Sequence, residues 1–331
     1  MDAYECTDYF NLSKLCEINM FTNRVIDGRY REKREWLTVI LKMRYSVIPA
    51  IILRVTFCGF FGFLISLLDY FNFPVTLPTK SSIVPSLVLG LLLVFRTNTA
   101  YERFWQGRQL WGKIVNTVRN FARQIWVSVE ENEPADRKVK EEIIRLLVAF
   151  AIAGKLYLRG QSVNRELEGY MPKKWYEKLK TMNHPPIHIA FWISDYLQYQ
   201  YERGCINPYQ LTAMFKMLDR MVEALTGCEG ILNTPIPLAY SIHLRQLLLI
   251  YCLSLPFQIV NEFHFWTGVV VALISFTVFG IEEIALEIEN PFGYDPNDLP
   301  LDAICIAMHR NIEDLITLAP SAATRKLKVK S

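Results

Sequence analysis

The strongest constraint on this fold is a pattern of long apolar runs on either side of a long charged middle. The first run, Tyr45 to Phe71, is broken only by Arg54 and Asp69. Coiled as a helix it would extend about 40 Å, enough to cross a hydrocarbon layer of about 30 Å with some tilt. A second run, Ile83 to Phe95, is short by itself, but its helical pattern continues past Arg96 through Tyr101, Phe104, Trp105 and Leu110. That continuation predicts one long helix that leaves the membrane and enters water. Two further runs, Leu238 to Val260 and Phe265 to Ile281, are separated only by Asn261 to His264, which predicts an antiparallel hairpin of spans.

Between the pairs of runs, apolar residues recur at helical spacing among charged ones, as with Ile143, Leu146, Leu147 and Phe150, the mark of helices half in water. Gln161 to Pro186, rich in proline and glycine, reads as loops and short helices. Half of the residues (51%) are hydrophobic, yet 21% are charged, too many for a chain embedded throughout. A membrane part and a sizeable aqueous part follow. The net charge of +3 is too small to suggest nucleic acid, and no nucleic-acid-reading motif is present.

Loop charge sets the expected orientation. Arg24, Arg29, Arg31, Lys33, Arg34, Lys42 and Arg44 precede the first run, and Arg96, Arg103 and Arg108 follow the second. The connecting loops carry only Lys80, so four spans with both termini inside satisfy the positive-inside rule. Met1 to Asn23 lacks a signal-peptide pattern, and no transit peptide is evident, so a bacterial plasma membrane or a thylakoid membrane is expected. The expected divisions are a cytosolic segment 1–44, two spans in 45–95, a cytosolic helical domain 96–237, two spans in 238–281 and a cytosolic segment 282–331.

Ile83, Leu87 and Leu91 recur every fourth residue and drift only about 40° per step around a helix. Such a stripe suits either a pore neck or packing against other spans and lipid. Arg96, Arg103 and Arg108 could attract anions at the inner end of a pore, or pair locally with acids such as Glu102. Arg54 and Arg245, inside spans, need protein, water or an interface around them. Seven cysteines lie far apart, as isolated small apolar side chains do. His184 and His188 sit in a proline-broken stretch, a poor metal scaffold. With no phosphate-cradling loop and no nucleophile elbow, nothing points to an enzyme.

Ile83 to Gly112 reads IVPSLVLGLLLVFRTNTAYERFWQGRQLWG, and Glu282 to Asp302 reads EEIALEIENPFGYDPNDLPLD with N-P-F-G at its core. Both blocks resemble the bestrophin-like anion channels, in particular the bacterial, cyanobacterial and plant thylakoid voltage-dependent chloride channel branch. The resemblance implies an all-α fold with four transmembrane helices and a large cytosolic helical domain, assembled as a homopentamer around one central pore in the bilayer. It implies passive conduction of chloride with no required cofactor, and a hydrophobic neck at Ile83, Leu87 and Leu91. Leu87 and Leu91 stand where animal members carry phenylalanine.

A cytosolic aperture is implied at Ile206 and Tyr209, if Pro208 is the matching proline. A calcium clasp is implied at Asn290, Asp295 and Asp298, although Pro296 and Asn297 interrupt the acidic run and Glu287 replaces an amide. A capped turn is the other reading of that segment. Cation conduction, and a non-conducting scaffold that binds a partner through its helical domain, remain as alternatives to the anion channel.

Overall fold

The structure, a computed structural model, describes residues 46–76 and 83–320. The expected N-terminal segment 1–44, with its basic residues, lies outside those residues. The described elements are helices: α1 (Ile48–Tyr70), α2 (Ile83–Ser128), α3 (Asp136–Leu158), α4 (Lys173–Leu179), α5 (Pro185–Glu202), α6 (Pro208–Asn233), α7 (Leu238–Phe263), α8 (Thr267–Glu289) and α9 (Leu301–Thr317), with short 3-10 turns at Arg165–Tyr170 and His264–Trp266. They form two compact units. One holds the described chain up to Arg108 together with Gly230–Asp298, and the other holds Gln109–Glu229 and the described chain from Leu299. These divisions follow packing and do not mark where a bilayer would end.

The first unit is built from α1, the start of α2, α7 and α8. Among the described residues, three stretches are long and apolar enough to cross a membrane: Ile48–Tyr70, Val84–Ser128 and Leu238–Glu289, the last holding both α7 and α8. The hairpin is antiparallel, because Arg245 on α7 meets Glu282 on α8 at 3.0 Å and the two lie at similar distances in sequence from His264. His264 closes the turn at a φ of +44°, unusual for a residue with a side chain, and its carbonyl accepts from Ser66 of α1 at 2.7 Å. α1 and α8 approach backbone to backbone. A Cβ on Gly268 would stand 2.9 Å from the Gly59 carbonyl oxygen, so only small residues fit that crossing. Ile51, Val55 and Cys58 of α1, Leu89 and Leu93 of α2, Leu248 and Cys252 of α7, and Val271 and Phe279 of α8 fill the core.

The second unit is organised on α3, which is buried along most of its length. Its amphipathic sequence points its few central charges at partners. Lys155 is 2% exposed and meets Asp302 at 2.7 Å and also Glu166, while Arg145 meets Glu313 at 2.8 Å. These pairs hold α9 on α3. At the start of α3, Asp136 takes two hydrogen bonds from Arg203, which hold its carboxyl down to about 2. The short helices at Arg165–Tyr170 and Lys173–Leu179 fall in the stretch read as loops and short helices.

Helix ends differ from the sequence reading mainly at α8. The apolar run stops at Ile281, but the helix continues two turns to Glu289. Glu282 and Glu289 are carried on it as ion-pair partners, so the acidic residues that read as the start of an aqueous segment are helical. α2 runs unbroken over 46 residues: the pattern past Arg96 predicts one long helix as far as Leu110, and the helix goes on to Ser128. Cys58, Cys205, Cys228, Cys252 and Cys305 are buried; Cys6 and Cys16 lie outside the described residues.

Candidate functional site

The start of α2 has two faces. Leu89 and Leu93 are 5% and 4% exposed and pack into the helical core, whereas Leu87 and Leu91 are 73% and 54% exposed. A residue two positions along a helix is turned by about 160°, so the Leu87 and Leu91 stripe points almost directly away from the core. Ile83 opens the same helix, but its side chain lies outside the described residues. The exposed stripe continues through Val94 to Asn98, also exposed, where it turns polar. A continuous apolar surface one helix wide is therefore left uncovered by the packing of the described residues.

The opposite face anchors α2. Arg96 is 2% exposed and donates to Glu289 at 2.6 Å, and the other oxygen of the same carboxylate accepts from the Ile236 N–H at 3.0 Å. Arg103, two turns on, donates to the carbonyls of Ile231, Thr234 and Glu289. Those carbonyls lie at the C-terminal ends of α6 and α8, where helices leave acceptors unpaired and carry partial negative charge. Both arginines are thus spent on holding α2 to the chain that flanks it. Arg96 finds its acid on α8 and not in Glu102 on its own helix. Of the three basic residues singled out as anion-attracting, Arg108 alone is well exposed, with its guanidinium 5.0 Å over the Trp105 ring. Sequence reasoning missed Glu289. Its only signal was a carboxylate just before the N-P-F-G motif.

The N-P-F-G turn packs where α2 is small. A Cβ on Gly107 would stand 2.7 Å from the Pro291 ring, and Phe292 is fully buried beside it. Asn290 caps the turn through a hydrogen bond from the Phe292 N–H at 3.3 Å, and Asp298 accepts from the Asp295 N–H at 2.7 Å. Of the residues named as a calcium clasp, Asn290 and Asp298 use their side chains in the hydrogen bonds of a capped turn, and Asp295 enters it through its backbone N–H and carbonyl. Among the described residues no three His, Cys, Asp or Glu side chains gather as a metal site.

At the expected aperture, Ile206 and Tyr209 part company. Ile206 is 5% exposed and packs inward, whereas Tyr209 is 88% exposed. Around Tyr209, Asn207 and Gln210 form a reciprocal capping box that starts α6. His184 caps α5 by accepting from the Ile187 N–H and bonds Glu229 at 2.9 Å through its other ring nitrogen, so it is engaged structurally.

The family model described as Bacterial/Fungal Bestrophin protein matches residues 29–314. This chain is a bestrophin. The bestrophin resemblance carried by Ile83 to Gly112 and Glu282 to Asp302 therefore extends over most of the sequence, and the fold is all-helical as that family implies. It is 58% identical over 295 residues to a voltage-dependent anion channel-forming protein of Nostoc sp., covering 89% of this chain and 96% of the relative. A Synechocystis sp. protein of the same description is 57% identical over 290 residues, covering 88% and 94%. Among solved structures, a bacterial bestrophin homolog from Klebsiella pneumoniae superposes with a TM-score of 0.75 at 27% identity, covering 82% of this chain and all of that one. The bestrophin fold and its apolar helices make this a membrane protein.

Proposed function

We propose that this bestrophin conducts chloride and similar monovalent anions, as a homopentamer that crosses the membrane four times with both termini inside, in a bacterial plasma or thylakoid membrane. The carrying observation is the stripe of Leu87 and Leu91, turned away from the protomer core on a helix anchored from behind by Arg96 and Arg103. Relatives at 58% and 57% identity that bear the name of voltage-dependent anion channel-forming proteins support the ion and the voltage dependence.

Five copies of the stripe around one axis would form successive apolar rings, with Ile83 as the outermost. An ion in such a neck gives up part of its hydration shell, and a narrow neck empties of water, so a small change in width switches conduction. Tyr209, exposed at the start of α6, is the better placed of the two aperture residues. No cofactor is needed for passive conduction. The Asn290 to Asp298 turn is held by its own hydrogen bonds, so it does not require calcium, and calcium there is a ligand for the chelator arm of the test to decide.

The test is a reversal potential in planar bilayers across a potassium chloride gradient. A potential near that of chloride is expected. A potential near that of potassium would replace the anion with a cation, and silence at all voltages and with or without a calcium chelator would favour the scaffold. Leu87→Ala, by removing most of an apolar ring, is expected to raise open probability several-fold; unaltered gating would remove Leu87 from the neck.

A further inference from the structure

A cavity of about 610 Å³ opens on the side of the first unit, between α1, α7 and α8. Leu53, Phe57, Cys58, Leu248, Leu249 and Phe279 form its apolar wall, and Arg54, Arg245 and Glu282 supply its polar groups. The charges are gathered in one cluster. Arg54 Nη1 lies 3.0 Å from Glu283 and 3.8 Å from Glu282, and Arg245 Nε lies 3.0 Å from Glu282.

The wall and the cluster are ordered along the helices. Each charged residue sits six or seven residues from one end of its helix, Ile48, Leu238 or Glu289, a depth of about 10 Å by helical rise. α1 and α7 run one way and α8 the other, so Phe57, Leu248, Leu249 and Phe279 all lie about one turn deeper into the span than the charges. One end of the cavity is therefore ionic and the remainder is apolar, at the depth where a span meets the headgroup layer.

The two arginines are only partly satisfied by this pairing. Glu282 is 3% exposed, but the side chains of Arg54 and Arg245 are 50% and 54% exposed, and among the described residues their bonds engage one nitrogen of each guanidinium. A guanidinium carries five N–H donors in a flat fork that matches phosphate oxygens. Half-exposed arginines inside a span are costly unless water, protein or an anionic group meets them.

We infer that this cavity is a phospholipid site, with the lipid phosphate accepting from Arg54 and Arg245 and an acyl chain lying along Phe57, Leu249 and Phe279. The volume falls in the range of small-molecule sites, which are mostly apolar with a few convergent polar groups. The inference rests on the membrane placement of the chain and is independent of conduction.

The test uses the delipidated full-length protein in detergent, titrated with phosphatidylglycerol and, separately, with diacylglycerol, and read by native mass spectrometry. Phosphatidylglycerol is expected to stay bound to the wild type while diacylglycerol does not; equal retention of the two would overturn the role of the arginines. Arg245→Gln is expected to weaken phosphatidylglycerol binding about tenfold, the scale of one charge-assisted hydrogen bond. Because that variant disturbs the buried Glu282, Leu249→Trp serves as a second one, filling the groove while leaving every charge in place. Wild-type retention in Leu249→Trp would overturn the site, as would efficient cross-linking of Leu249→Cys between protomers, which would give the groove to a second copy of the chain.

Discussion

α1 and α3 are both 23 residues long and lie at the centres of their units, yet they solve opposite problems. α3 carries eight charged residues and buries fifteen of its 23 positions. α1 carries two charged residues, Arg54 and Asp69, and buries only six. In water the less polar helix would be the more deeply buried. The inversion makes sense if the surroundings of α1 are hydrocarbon, where exposing Leu53, Phe57 and Phe60 carries no penalty and burial brings no hydrophobic gain. Helix α1 is instead held by close backbone approach at Gly59 and Gly268 and by ion pairs near its N-terminal end. Helix α3 is held by apolar burial, with its central charges matched one by one.

The difference can be broken at named residues. The largest effect is expected where the first unit departs from apolar packing. Glu289→Ala leaves Arg96 buried without its acid, a loss of about 3–5 kcal/mol for a broken buried pair. Since that pair sits behind the candidate neck, conduction should change together with thermal stability in detergent. A stable variant with wild-type gating would show that the anchor is idle. Next is Phe60→Arg, at a position 61% exposed on α1. On a water-facing surface such a change is nearly neutral, but facing lipid it should oppose insertion by about 2.5–3.5 kcal/mol. Normal membrane integration of this variant would place the α1 surface in water or against protein.

In the second unit the expected effects are smaller. Arg203 holds the Asp136 carboxyl down to about 2, below its ordinary value of 3.8. A depressed carboxylate adds stability above its unfolded value, and that contribution is lost as pH falls from about 4 to about 2. Arg203→Gln should therefore lower stability at neutral pH and flatten this part of the acid-denaturation profile; an unchanged profile would remove the pair from the stability of α3. Asn207→Ala should cost least, about 1 kcal/mol for a lost helix cap, read as a small drop in melting temperature. A much larger loss would mean that the start of α6 carries more than its cap.

Much of this was legible before any coordinates. Apolar runs long enough to cross a membrane located α1, α7 and α8 to within a few residues at most ends, and the pattern through Arg96 foretold that α2 continues past it, though not how far. Charge pairing was not legible in the same way. Arg96, Arg103 and Arg108 read alike along the chain, and Glu102 was the nearest acid in sequence. The fold gives Arg96 to Glu289, Arg103 to three carbonyls and Arg108 to a tryptophan face. Likewise Ile206 and Tyr209 are three residues apart but one is buried and the other exposed, since burial depends on what packs against each from distant parts of the chain.

The sequence by itself determined that the chain is helical, that part of it lives in a bilayer, and that it resembles the bestrophins, because apolar run length, charge asymmetry and the two motif blocks are local properties. Which face of α2 is left uncovered, which arginine is anchored and by what acid, and that Asp298 holds a turn were decided only by tertiary structure. Those outcomes depend on residues close in space but up to 193 positions apart in sequence, as Arg96 and Glu289 are, and no local pattern encodes such pairings.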